Sequence, residues 1–175
     1  MKQVFVKNLN ELEHWLEVNA DTSDSIWLEH YKFSSGLTDL TRDNLVNTLL
    51  CFGWVDSLPG KVDDDKTKIR ISPRNPKSAW SKINKDKVAR LISEVRMRKR
   101  GLELVKIAKQ NGAWDKLNEV DKLIVPEDMQ QYLKEHNLQD AWESLPKSKK
   151  RGYLEFLLNR KSKSARIKYL DSILK

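Results

Sequence analysis

The chain has 175 residues, 39% hydrophobic and 33% charged, enough for one good core with a smaller appendage and too little for two independent domains. Six tryptophans and the absence of low-complexity sequence exclude a disordered polymer. The formal net charge of +8 is unevenly placed: residues 66–100 hold thirteen Lys and Arg against two acids and residues 147–175 hold ten against two, while residues 1–65 and 101–146 are acidic overall. Such segregation points to an anionic partner or to internal docking of acidic on basic segments.

Lys2 to Val6 reads as a short strand. Asn8 then caps a helix to about Val18, with Glu11 in the capping-box position and Leu9, Leu12, Trp15 and Leu16 on one face. Residues 25–33 alternate Ile26, Leu28 and His30 against Trp27, Glu29 and Tyr31, a second strand closed by Ser34-Ser35-Gly36, and Trp27 is expected to pack on the first helix. Thr41 caps the next helix, whose stripe of Leu45, Val46, Leu49 and Leu50 ends near Gly53 and delivers Trp54 and Asp56 to its exit. Pro59-Gly60 is expected to force a turn, Asp63 to Asp65 another, and Lys68 to Ser72 a strand that Pro73 and Pro76 end.

Asn84 is the expected cap of a helix with Val88, Leu91, Ile92 and Val95 inward, its carbonyl end met by Arg96, Arg98, Lys99 and Arg100 before Gly101. Leu104, Val105 and Ala108 line a further helix that stops at Asn111-Gly112. Pro126 opens another over Met129, Tyr132 and Leu133. Shorter ones follow around Trp142, around Phe156, and along Ile167, Leu170 and Leu174. The expected fold class is α+β: a small antiparallel sheet with packed helices in the N-terminal half, then an all-helical C-terminal half. The expected division is residues 1–112 and a helical region 113–175 packed on them.

No apolar run reaches the length of a membrane span, and Glu11, Glu13 and Glu17 stand where a secretory leader would be uninterruptedly apolar. The single Cys51 cannot form an internal disulfide, and the cytoplasm is the expected location. There is no glycine-rich phosphate loop, GxSxG, HExxH or paired CxxC, and His14, His30 and His136 lack ligand spacing, so neither cofactor nor metal is expected. An enzyme would have to use Asp56 or Cys51 beside the arginines, and no base–nucleophile pair has the spacing. Cys51, between Leu50 and Phe52, reads as a small hydrophobe.

Chemistry concentrates between Leu50 and Asn84. Arg70 and Arg74 are placed to fork a phosphate or carboxylate, Trp54 and Trp80 to wall it, Asp56 to orient an arginine, and Ser78, Ser81 and Asn84 to bring a helix N-terminus. The expected role is a non-enzymatic binding module for a small anionic molecule or an acidic protein segment. The same residues also suit a ligand-free network, with Arg70 paired to a carboxylate and both tryptophans in the core. The alternative partner is nucleic acid, met through residues 66–100 and 147–175, although no helix-turn-helix or stacking platform is evident in the sequence.

The runs CFGWVD, RISPRNPKSAWSKINKDKVARLI, GLELVKIAKQNGAW, VPEDM and RGYLEFLLNRKSKSARIKYLDSIL closely resemble the bacterial YdeI/OmpD-associated family, also labelled bacteriocin-protection proteins. That family shows FGW-(I/V)-D, matched by Phe52, Gly53, Trp54, Val55 and Asp56. It also shows R-x-(T/S)-P-R followed by S-x-W-S-x-x-N, matched by Arg70, Ser72, Pro73, Arg74, Ser78, Trp80, Ser81 and Asn84. Its C-terminal A-K-K-x-E-T-R-x-R-R-I is met by residues 160–166 without the acidic residue and with one arginine fewer. The resemblance implies tolerance of antimicrobial peptides and association with an outer-membrane porin, and it implies no defined reaction.

Overall fold

The structure, a computed structural model, describes residues 1–174 without the side chain of Leu174, so that member of the last expected helical stripe lies outside the described side chains. The chain divides into two compact units, Met1–Trp114 and Asp115–Lys175.

The first unit runs β1 (Gln3–Val6), α1 (Leu9–Asn19), β2 (Ile26–Tyr31), a 3₁₀ turn (Phe33–Ser35), α2 (Arg42–Cys51), β3 (Trp54–Lys61), β4 (Lys66–Pro73), α3 (Lys82–Ser93) and α4 (Lys99–Gln110). Local chemistry sets the helix starts. Asn8 accepts the Glu11 N–H at 2.9 Å while the Glu11 carboxylate accepts the Lys7 N–H at 2.8 Å, and Thr41 accepts the Asn44 N–H at 3.2 Å. Gly53 ends the exit of α2 at φ +71°, a conformation that favours glycine, and a Cβ there would come within 2.7 Å of Leu104.

The four strands lie in the order β1-β2-β4-β3, antiparallel except that β1 runs parallel to β2 across the α1 crossover. Val6, Ile26, Leu28, Ile69 and Ile71 form the inner face and are buried in one core with Leu12, Leu16, Leu45, Leu49, Val88 and Leu91 of the helices. Trp54 is completely buried there. Its indole N–H donates to the Ala20 carbonyl at 3.1 Å, and its ring meets Trp15 edge-on at a centroid distance of 5.7 Å. Trp54→Phe keeps most of the apolar area but strands the Ala20 carbonyl, so chemical denaturation should show a loss of about 1–2 kcal/mol.

Four local expectations are corrected. Trp27 lies on the outer face opposite Arg70 and under Lys68, because Ile26 and Leu28 hold the inward register; Trp15 and Trp54 make the aromatic contact at α1. Pro59 and Gly60 stay within β3, an edge strand that tolerates proline, and a bulge between Asp56 and Pro59 absorbs the irregularity. Ser81, not Asn84, caps α3, and Ile92 and Val95 are exposed, Val95 to 90%, because the helix stops at Ser93 and Val95 turns the chain at φ +55°. Gly101 sits inside the first turn of α4 instead of closing α3.

The second unit holds α5 (Asn118–Asp121), α6 (Glu127–Glu135), α7 (Gln139–Ser144), α8 (Lys147–Leu158) and α9 (Lys163–Leu174). Met129, Leu133, Trp142, Leu154, Leu157 and Leu170 are buried. Pro126 stands at the cap of α6 rather than in its first turn. Arg166 of α9 forks Asp128 of α6 through Nε at 2.5 Å and Nη2 at 2.7 Å, and those bonds hold the Asp128 carboxyl below the usual carboxylate range. A depressed carboxyl stabilises the fold fully above its ordinary pKa and loses that contribution as pH falls through the folded value. Asp128→Asn should therefore lower stability by up to about 1 kcal/mol at neutral pH, a modest figure because the pair is partly exposed. The gap between variant and wild type should close below about pH 4 in unfolding curves.

Candidate functional site

The β4–α3 loop is built around Arg74. Its backbone N–H donates to Gly53 O at 3.0 Å, continuing the β3–β4 pairing past Pro73, and its guanidinium folds over the loop so that Nη2 donates to Ala79 O at 2.6 Å. The guanidinium carbon lies 3.8 Å from the centre of the buried Trp80 ring, a close cation–π stack. Trp80 in turn meets Trp114 at 5.1 Å. Lys85 Nζ donates to the Trp114 carbonyl at 3.1 Å and lies 5.8 Å from that ring, and Lys109 Nζ lies 5.1 Å from it. Two indoles are thus flanked by three cations supplied by the loop, α3 and α4.

Backbone ties keep this arrangement in place. Trp80 N donates to Ala113 O at 3.3 Å, Asn111 Nδ2 donates to Pro76 O at 3.0 Å, and Ser78 Oγ donates to Asn75 O at 2.7 Å. The first two bonds pin the loop to the turn after α4, which Gly112 makes at φ +79°, and the third closes the loop on itself.

The electrostatics are unbalanced. Arg74 is only 6% exposed, makes no ion pair among the described residues, and has a buried Nε with no hydrogen-bond partner. Burial pulls its guanidinium down to about 10. Most buried arginines are answered by a carboxylate, and this one is not.

The sequence-predicted residues scatter around this centre. Trp54 is in the core, bonded to Ala20. Asp56 pairs with Arg42 at 2.5 Å. Arg70 alternates with Ile69 and Ile71 and so lies on the outer face, where its Nε is buried without a hydrogen-bond partner. Ser78 stays within the loop. Ser81 caps α3 by accepting the Asn84 N–H at 3.4 Å. Arg74 and Trp80 come together in one cluster, joined by Trp114, Lys85 and Lys109. The sequence signal for those three was faint: Lys109 and Trp114 flank Asn111-Gly112, which reads locally as a helix stop and nothing more.

Much of the basic block is compensated internally. Lys66, Lys87, Arg90, Arg96, Arg98 and Arg100 pair with Glu29, Asp43, Glu13, Glu17, Asp21 or Glu94, so acidic N-terminal residues dock on residues 66–100. Lys150, Arg151 and Arg166 are paired similarly within the second unit. Lys68, Arg70, Arg74, Lys77 and Lys99 are left without an acidic partner among the described residues.

Cys51 is buried, and burial raises its thiol, the opposite of what a nucleophile needs. Among the described residues no cluster of His, Cys, Asp and Glu could hold a metal ion, and no helix is long and apolar enough to cross a membrane.

Comparison with known proteins adds a family and no activity. No curated protein and no solved structure matches the chain. A family model described as a domain of unknown function (DUF8412) matches residues 4–104, the stretch that contains FGWVD and RISPR. The model described as bacteriocin-protection, YdeI or OmpD-associated matches residues 122–175, which include the very helix where the family's basic pattern is incomplete. The chain therefore belongs to the DUF8412 domain family, and its residues 122–175 are similar to the YdeI/OmpD-associated, bacteriocin-protection family.

Proposed function

We propose that this protein is a non-enzymatic, cytoplasmic binding module that takes a small anionic group, carried by a free ligand or by an acidic protein segment, at Arg74 beside Trp80 and Trp114. The observation that carries the reading is the buried Arg74 guanidinium with an idle Nε and no carboxylate to answer it. A buried charge is costly alone, and an anion that forks it supplies the missing partner. Indoles on one side add apolar wall, and Lys85 and Lys109 add positive potential. The raised thiol of Cys51 argues against covalent chemistry. The family description, bacteriocin protection, suggests tolerance of antimicrobial peptides as the setting in which such binding acts.

The test is a thermal-shift and calorimetric screen of inorganic phosphate, mono- and dicarboxylates, nucleotides and an acidic peptide. At least one class should raise the midpoint of the wild-type protein, and Arg74→Met should abolish that shift while leaving the protein folded. A screen in which no anion stabilises the wild type, or one in which the methionine variant responds equally, would sink the reading.

A further inference from the structure

The sheet face turned away from the core has a chemistry that the Arg74 site does not use. Trp27 of β2 lies across that face: its Cζ3 would be 3.4 Å from a Cβ built on Gly60 of β3, which lies two strands away. Neighbouring strands are about 4.8 Å apart, so the ring spans the sheet instead of standing up from it. Gly60, without a side chain, leaves the room that the ring edge and the stem of Lys68 occupy. Lys68 Nζ is 5.2 Å from the centre of the Trp27 ring.

Further along the same face Phe5 and Tyr31 meet edge to face at 5.4 Å, with Lys66 Nζ 5.3 Å and 6.0 Å from their centres; Phe5 is 39% exposed. Trp27 and Tyr31, four residues apart on one strand, are separated by about 13 Å, room for more than one base.

Charge distinguishes the two ends of this surface. Glu29 is held by Gln3 at 2.6 Å and by Lys66 at 3.8 Å, so it and Lys66 answer each other. The Asp63–Asp65 turn precedes Lys66 and makes the Tyr31 end unattractive to an anion. Lys68 and Arg70 have no carboxylate partner among the described residues, and Arg70 Nε is buried without a hydrogen bond. The positive, aromatic centre of the face is therefore Lys68, Trp27 and Arg70.

We propose that this face binds single-stranded nucleic acid, with a base stacked on Trp27 and the adjoining phosphates held by Lys68 and Arg70. A ring laid on an open sheet beside unpaired cations matches the two parts of a nucleotide, a flat base and an anionic backbone. An acidic peptide would satisfy the cations but leave the ring unused. The face shares no residue with the Arg74 site, so the two readings stand or fall separately.

Fluorescence anisotropy with a short labelled oligothymidylate, and with the RNA of the same length, tests the proposal on the full chain. Single strands should bind at low salt more tightly than a duplex of equal length. The logarithm of affinity should fall with the logarithm of salt at a slope of about −1.4, as two phosphate contacts on a single strand require. Trp27→Ala should weaken binding at least tenfold and Trp27→Phe less, since a ring remains. The double variant Lys68→Gln, Arg70→Gln should bind weakly with a shallower salt slope at a nearly unchanged unfolding midpoint, and Arg74→Met should bind like wild type. Absence of binding at low salt overturns the proposal, as does binding indifferent to the double variant. Competition by polyglutamate as effective as by unlabelled oligothymidylate also overturns it, and marks the face as a site for acidic protein instead.

Discussion

Replacing Arg74 by methionine is expected to remove anion binding, by at least about a hundredfold, and to leave the unliganded protein about 1 kcal/mol more stable than wild type. The two effects share one cause. The guanidinium is 6% exposed and its affinity for a proton is pulled down to about 10 by burial alone, which corresponds to roughly 3 kcal/mol spent keeping it charged at neutral pH. Methionine has similar length, carries no charge, and keeps a favourable sulfur contact with Trp80 in place of the cation–π stack. Against that gain stand the lost bond to Ala79 O and part of the stacking energy, together about 2 kcal/mol. Urea unfolding without and with the anion found in the screen measures both halves. A loss of more than about 2 kcal/mol in the unliganded variant would instead make Arg74 a structural clamp for the loop 74–80. The anion site would then have to be sought elsewhere.

What could be read in advance followed the range of the interactions concerned. The Asn8 and Thr41 caps, the stripe of Leu12 and Leu16, and the alternation of Ile69 and Ile71 against Arg70 are decided within a few residues, and all appear as expected. Misreadings arose where a distant partner decides. Pro59-Gly60 has the composition of a turn, yet pairing with β4 keeps it extended. The alternation of β2 was visible, but Trp27 was drawn inward by its size, when Ile26 and Leu28 already filled that face. The cluster around Arg74 was half visible for the same reason. Arg74 and Trp80 lie in the block whose composition stood out, while Trp114 and Lys109 reach it only because α4 packs back on the loop. Segregated charge was a sound warning of internal docking, and Arg98–Glu17 and Arg100–Asp21 show it.

The position of α4 rests on one residue that has no side chain. A Cβ on Gly101 would lie 2.3 Å from Cys51 O, 2.8 Å from Leu50 O and 3.0 Å from the Cys51 carbonyl carbon, all backbone atoms that cannot rotate away. The first turn of α4 is thereby laid against the last carbonyls of α2, where Arg98 N donates to Cys51 O at 3.1 Å. Elsewhere in a helix, alanine in place of glycine stabilises by up to about 1 kcal/mol, and Gly152 of α8, with open space at its Cβ, should show that gain. Gly101→Ala should do the reverse and lower stability by about 3 kcal/mol or more, since the whole helix must shift to admit one methyl group. Urea midpoints of the two variants make an internally controlled pair, and a Gly101→Ala midpoint within about 1 kcal/mol of wild type would show that the docking is loose. The functional consequence follows from what α4 carries. Its far end delivers Lys109, Asn111 and Trp114 to the loop, so a tilt at Gly101 separates Trp80 from Trp114 and breaks the Asn111–Pro76 bond. Near-ultraviolet circular dichroism should report the lost indole pair, and anion affinity should fall in Gly101→Ala although no ligand-facing side chain has been changed.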